Sequence, residues 1–214
     1  AIRRELGDWQ TVWGVKWADG QLSWELYFYD YERLDRGVSV TRLLDVLRPY
    51  IDCRIKVDEQ SLYFMFSIDF DSALVKRERP LDTVNLYIGN VANHDNMISS
   101  GLCYRHESGH STLTNLYYFF DAQRGQQDIY DKLTLSIHTP FGELPMEQLL
   151  APELRDCRTI VVANKPANDG LYFSGVSAAQ LSYFFQRVAL APPVREFFDQ
   201  NRQRFEHLLF DVGK

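Results

Sequence analysis

Strict period-two alternation of large apolar residues constrains this chain more than any other feature. In TVWGVKW (11–17), Thr11, Trp13, Val15 and Trp17 alternate with Val12, Gly14 and Lys16. Ala18-Asp19-Gly20 follows. LSWELYFYDY (22–31) then places Leu22, Trp24, Leu26 and Phe28 on one side, and Ser23, Glu25, Tyr27, Tyr29 and Tyr31 on the other. Successive side chains of a strand point to opposite faces, and Asp-Gly between two alternating runs marks a hairpin. The chain therefore begins as antiparallel sheet with one apolar face.

The pattern recurs. CRIKV (53–57) and LYFMFSIDF (62–70) read as a second hairpin, with Leu62, Phe64, Phe66, Ile68 and Phe70 on the apolar face and Tyr63, Met65, Ser67 and Asp69 opposite. TVNLYIGN (83–90) sets Val84, Leu86 and Ile88 against Asn85 and Tyr87. TIVVANK (159–165) and GLYFSG (170–175) make a last hairpin. Helical spacing appears between the strands. Ser39 caps a helix carrying Leu43, Leu44 and Leu47, which Pro49 ends. Ile129, Leu133 and Ile137 stripe a helix over 125–137, and a short helix lies between Glu143 and Leu154, ended before Pro152. At the C-terminal end Ser177 caps a helix with Leu181, Phe184, Phe185 and Val188. After Pro192-Pro193, a second helix carries Val194, Phe197, Phe198, Phe205, Leu208 and Leu209, with Gly213 as a stop. Hairpins outnumber crossover units, so the fold class is α+β. The expectation is one domain over 1–214: a large curved, mostly antiparallel sheet of hairpins, with helices (two C-terminal ones included) packed on one face.

Composition narrows the partners. The net charge is −6, which disfavours nucleic acid and anionic membrane surfaces. The densest basic run, Lys76, Arg77 and Arg79, reads as a solvated loop. No apolar run approaches the length of a membrane helix, and AIRRELGDW carries no signal-peptide core. Cys53, Cys103 and Cys157 are odd in number and widely spaced, which suits reduced thiols and a cytoplasmic location.

Aromatic residues make up 14% of the chain, with 12 Tyr and 14 Phe. Many of the tyrosines fall on the strand faces opposite the apolar ones. Glu25, Tyr27, Tyr29, Tyr63, Asn85, Tyr87, Arg105 and Tyr117 together compose a face of aromatic walls and polar tips, the usual lining of a small-molecule site. There Arg105 would fix an anionic group, Glu25 would act as acid or base if there is chemistry, and the tyrosines would supply walls and hydrogen bonds. The plain alternative is cross-strand tyrosine pairing on a half-exposed face. A protein partner, or a homodimer formed through the same face, is the non-enzymatic alternative.

One motif points elsewhere. His106-Glu107-Ser108-Gly109-His110 spells H-E-x-x-H, the pattern of zinc hydrolases. That chemistry needs His106 and His110 on one helical face, with Glu107 as base and a third ligand such as Glu143 or Glu147. The flanks contradict a helix. Ser108 and Gly109 are poor helix formers, and Leu113 to Phe120 alternates as a strand does. A hairpin turn at Ser108-Gly109, with no cofactor, is the expectation, and zinc is the alternative. The loop Asn90–Asn96, with His94 and Asp95, and the connection Asn164–Asp169 read as strand linkers.

TVNLY (83–87), followed by a hairpin with a polar glycine turn, resembles strands of the soluble aromatic prenyltransferases. The resemblance implies an antiparallel barrel lined with Tyr and basic residues, ringed by helices, and a transferase activity. In that family helices separate successive hairpins, whereas only a short linker lies between TVNLYIGN and LCYRH.

Overall fold

The computed structural model describes residues 2–7, 11–30, 36–90, 99–140 and 146–214. Among these residues nine strands are hydrogen-bonded in chain order as one sheet, and every strand register described is antiparallel. Helices follow or separate the hairpins, which makes the fold α+β. No helix among the described residues is long and apolar enough to cross a membrane. The chain divides into two compact units: Ala1–Gly89 with Gly101–Thr114, and Asn90–Ser100 with Asn115–Lys214.

The first unit holds α1 (Ile2–Leu6), β1 (Thr11–Ala18), β2 (Gln21–Tyr29), α2 (Val40–Leu47), β3 (Met65–Phe70), α3 (Ser72–Val75) and most of β4 (Thr83–Asn90) and β5 (Ser99–Glu107). The β1–β2 hairpin turns at Asp19 and Gly20, both at positive φ, as the sequence predicts. Ser39 caps α2 by accepting from the Arg42 backbone N–H at 3.2 Å. Leu43, Leu44 and Leu47 bury the helix against Leu26, Phe28, Phe66, Ile68, Val84 and Leu86.

Two expectations fail here. CRIKV forms no strand: Cys53 makes one parallel bridge to Leu81, and β3 pairs instead with β2 and β4. The face assignment of Tyr63 also reverses. Tyr63 is fully buried in the core, while Leu62 is 65% exposed. The strand begins only at Met65, so the extended period-two count breaks between Tyr63 and Phe66. An arginine clasp accounts for the break. Arg36 donates to the Asp30 carboxylate (2.9 Å) and to the carbonyls of Glu59, Ser61 and Tyr63, and its guanidinium lies 3.9 Å over the Tyr63 ring. Burying the chain here requires partners for those carbonyls, and Arg36 supplies them in place of a ladder.

The second unit contains β6 (His110–Asp121, apart from its first five residues), α4 (Gln126–Thr134), α5 (Met146–Leu149), α6 (Pro152–Arg155), β7 (Thr159–Asn164), β8 (Asp169–Val176), α7 (Ala178–Arg187), α8 (Pro192–Phe205) and β9 (Phe210–Gly213). Phe120, Ile160, Val162, Leu171, Phe173 and Val212 face the buried residues of α4, α7 and α8. Ser177 and Gln180 form a capping box at the start of α7. Pro192 opens α8 at its first turn rather than merely breaking α7. Two helix boundaries are corrected. Ile137 lies beyond α4 and is 87% exposed, and the segment ending at Gly213 is a strand paired with β8, not the tail of a helix.

Candidate functional site

Register brings four of the predicted residues together. Glu25 lies opposite Asp69, and Tyr27 opposite Ser67, across β2–β3. Ser67 lies opposite Asn85, and Met65 opposite Tyr87, across β3–β4. Glu25, Tyr27, Asn85 and Tyr87 thus share one face of the first unit with Lys16, Ser67 and Asp69, the side of the sheet away from Phe66 and Ile68.

Hydrogen bonds converge on Ser67. Its hydroxyl donates to Glu25 Oε1 at 2.7 Å. Asn85 Nδ2 donates to Ser67 Oγ at 3.3 Å, and the Tyr87 hydroxyl lies 3.2 Å away. A serine hydroxyl has one proton, here given to Glu25, so Tyr87 is the donor of the second pair. The other carboxylate oxygen, Glu25 Oε2, is 3.9 Å from Lys16 Nζ, which sits closer to Asp69 Oδ1 at 3.3 Å. The Tyr27 and Tyr87 rings meet at 6.4 Å with a 49° tilt. Gly14 makes room for Tyr27: a Cβ there would come within 3.3 Å of its ring.

Exposure is graded along this face. Ser67 is fully buried and Tyr87 is 7% exposed. The Glu25 side chain is 12% exposed, and those of Asp69 and Lys16 are 40% and 49% exposed. The face is neither open water nor a solid core. It carries a mostly buried carboxylate that accepts from the Ser67 hydroxyl on one side and pairs with the Lys16 ammonium on the other. Such a group accepts hydrogen bonds or balances a cation.

The remaining predicted residues have other partners. Tyr29 sits on the same strand face as Tyr27, opposite Met65. Tyr63 belongs to the core, where burial first, and then its hydrogen bond to Glu59, raise the phenol pKa well above its ordinary value. Arg105 forms an ion pair with Glu107 at 3.4 Å, and its side chain is 54% exposed. Tyr117 belongs to the second unit, where Asn115 donates to its hydroxyl at 2.6 Å and it contacts Phe119 and Tyr172. That unit repeats the tyrosine-over-glycine device, with Tyr172 covering Gly213 and Gly170.

No local sequence signal singles out Ser67, Lys16 or Asp69. Alternation puts all three on the Glu25 side of their strands. Only the pairing of β3 between β2 and β4 makes Ser67 their meeting point.

HESGH forms the β5–β6 turn. Ser108 (φ 52°) and Gly109 (φ 80°) are both left-handed, as a two-residue hairpin loop requires. His106 ends one strand and His110 begins the next, so the helical presentation of a zincin is not formed. Both His106 ring nitrogens are engaged, Nδ1 with Ser111 Oγ at 2.9 Å and Nε2 with the Lys56 carbonyl at 2.7 Å. Among the described residues no three His, Cys, Asp or Glu side chains are grouped to hold a metal ion. Glu143, His94 and Asp95 lie outside the described residues.

Two surface depressions share no residue with the Glu25 cluster. One, of about 230 Å³, is lined by Gln126, Tyr130, Leu150 and Arg155. The other, of about 360 Å³, is lined by Arg4, Glu5, Arg42, Asp45 and Tyr50. Neither gathers its polar groups on one atom as Ser67 and Glu25 do, so the cluster is the stronger candidate.

No protein-family model matches the sequence, and a search of curated proteins finds no significant match.

Proposed function

We propose that the first unit binds a small organic ligand against the face formed by Glu25, Tyr27, Ser67, Asn85 and Tyr87. The convergence of three neutral side chains on Glu25, through Ser67, carries this reading. Holding a mostly buried carboxylate in one orientation costs desolvation, and a ligand group that meets it recovers that cost. The tyrosine rings supply the apolar contact. In an enzymatic form of this reading Glu25 is the acid or base. An aromatic prenyltransferase-like transferase is the enzymatic alternative: α2 separates β2 from β3 and α4 to α6 separate β6 from β7 as that family would require, while α3 inside the β3–β4 hairpin and the connection from β4 to β5, without a helix among the described residues, depart from it.

The reading is tested by native mass spectrometry of the chain incubated with a mixture of small aromatic compounds. Retention of one compound, lost in Glu25→Ala and Tyr87→Ala, supports it. Equal retention by both variants overturns it.

A second reading, a protein-interaction subunit, is favoured by the opposite face of β1–β2. Trp13 and Trp24 are each 48% exposed there, with Val15 and Leu22 each 41% exposed beside them. A mass of twice the chain, abolished by Trp13→Ser with Trp24→Ser, would support that reading.

A further inference from the structure

We propose that the ligand of the Glu25 face is a cation, a protonated amine on an aromatic or apolar body, and that Lys16 sets how strongly its charge is selected. The proposal rests on the ligand-binding reading above and adds the charge class. Three observations carry it.

The first is the direction of the donors. Asn85 and Tyr87 give hydrogen bonds to Ser67, and Ser67 gives its proton to Glu25. These donations run inward to the carboxylate. Glu25 Oε2, on the side away from Ser67, is approached only loosely by Lys16, at 3.9 Å, and the half-buried Tyr27 ring shares its strand face; a carboxylate and an aromatic ring both attract positive charge.

The second is the charge count. Glu25 and Asp69 are two negative groups that share one positive group, Lys16, a net of −1 for the ion-paired trio. An anionic ligand would meet an uncompensated carboxylate.

The third is the asymmetry of Lys16. Its ammonium is 3.3 Å from Asp69 Oδ1 but 3.9 Å from Glu25 Oε2, while Glu25 is the more buried of the two carboxylates. The less solvated charge is the less well compensated one, and interactions strengthen as water is excluded. A ligand ammonium reaching Glu25 Oε2 leaves Lys16 paired with Asp69.

Isothermal titration of the whole chain with 2-phenylethylamine, 2-phenylethanol and phenylacetate at neutral pH tests this. These three probes share a body and differ in charge. The amine should bind most tightly and phenylacetate least. Lys16→Met, at a half-exposed position, should strengthen amine binding about threefold, the scale of a partly exposed ion pair, and leave the alcohol unchanged. Glu25→Gln keeps the shape and should weaken the amine roughly tenfold or more, because a desolvated charge partner is lost. A wild-type chain that binds the alcohol or phenylacetate as tightly as the amine, with binding lost in Tyr27→Ala, overturns the charge class and leaves the ligand-binding face standing. Amine binding indifferent to Lys16→Met, Glu25→Gln and Tyr27→Ala alike, or no binding of any probe, overturns both.

Discussion

Ser67 is the residue on which the candidate site turns. It is fully buried, it donates to Glu25, and it accepts from Asn85 and Tyr87. Removing its hydroxyl strips a donor from a buried carboxylate and an acceptor from two donors. Ser67→Ala should therefore destabilise the chain by about 2 kcal/mol, the cost of buried groups left with fewer partners, read from urea unfolding. Ser67→Thr, which keeps the hydroxyl, should recover part of the loss. Arg36 has a comparable structural role in the core. Its partner Asp30 has a side chain only 4% exposed, so Arg36→Met should cost roughly 3 kcal/mol by taking the guanidinium from a buried carboxylate. Arg36→Lys should rescue little, because an ammonium lacks the fork that reaches Asp30 and the carbonyls of Glu59, Ser61 and Tyr63 together. Part of this is legible in the sequence. Glu25, Tyr27, Asn85 and Tyr87 are legible as one face because their strands alternate strictly. Tyr63 is misplaced because alternation is counted through Phe64, where the backbone is not yet a strand. Ser67 is passed over because a lone serine carries no local signal, and its importance comes from pairing with strands 40 residues before it and 18 after.

The hairpin at Ser108-Gly109 shows how an element decides between two readings of the same letters. A helix through His106 and His110 would need Gly109 in its interior. The turn instead uses Gly109 at φ 80°, with open space where a Cβ would stand. Gly109→Ala should thus cost about 1 kcal/mol through backbone strain alone, while Gly109→Asn should cost less, and thermal unfolding measures both. Local signals of this kind are what sequence reveals well: the Asp19-Gly20 turn, the Ser39 cap of α2, the capping box at Ser177 and the β7–β8 pairing. Elements chosen by distant partners are not visible. CRIKV alternates as a strand does, yet the Leu81 carbonyl accepts from the Arg54 N–H at 2.8 Å, the Leu81 N–H donates to the Asp52 carbonyl at 2.7 Å, and no ladder grows from there. β9 has only four residues and is defined by β8, with Gly213 lying under the Tyr172 ring.

At the scale of the molecule, each unit has an apolar core of its own, one built around Phe28, Phe66 and α2, the other around Phe173, Ile160 and the C-terminal helices. Global stability should respond to pH at both ends. The Tyr63 phenol is raised, so its neutral form is favoured on folding. Its contribution is complete below the ordinary tyrosine value of about 10 and is lost as pH rises beyond it. Asp71 is lowered, chiefly by its hydrogen bond from Arg79 and also by the backbone N–H of Leu74 at the start of α3. Its contribution is present above the ordinary aspartate value of about 4 and is lost as pH falls through the depressed one. Urea unfolding across pH should show a shallower alkaline limb in Tyr63→Phe and a shallower acid limb in Asp71→Asn. Ligand binding is proposed at the Glu25 face. A crystallographic fragment screen tests it most directly, because it reports where small molecules settle without assuming their identity. Fragments should gather against Glu25 Oε2 and the rings of Tyr27 and Tyr87, with amines foremost. Fragments that settle on other surfaces, and leave Glu25 with only Ser67 and Lys16, would overturn ligand binding at this face.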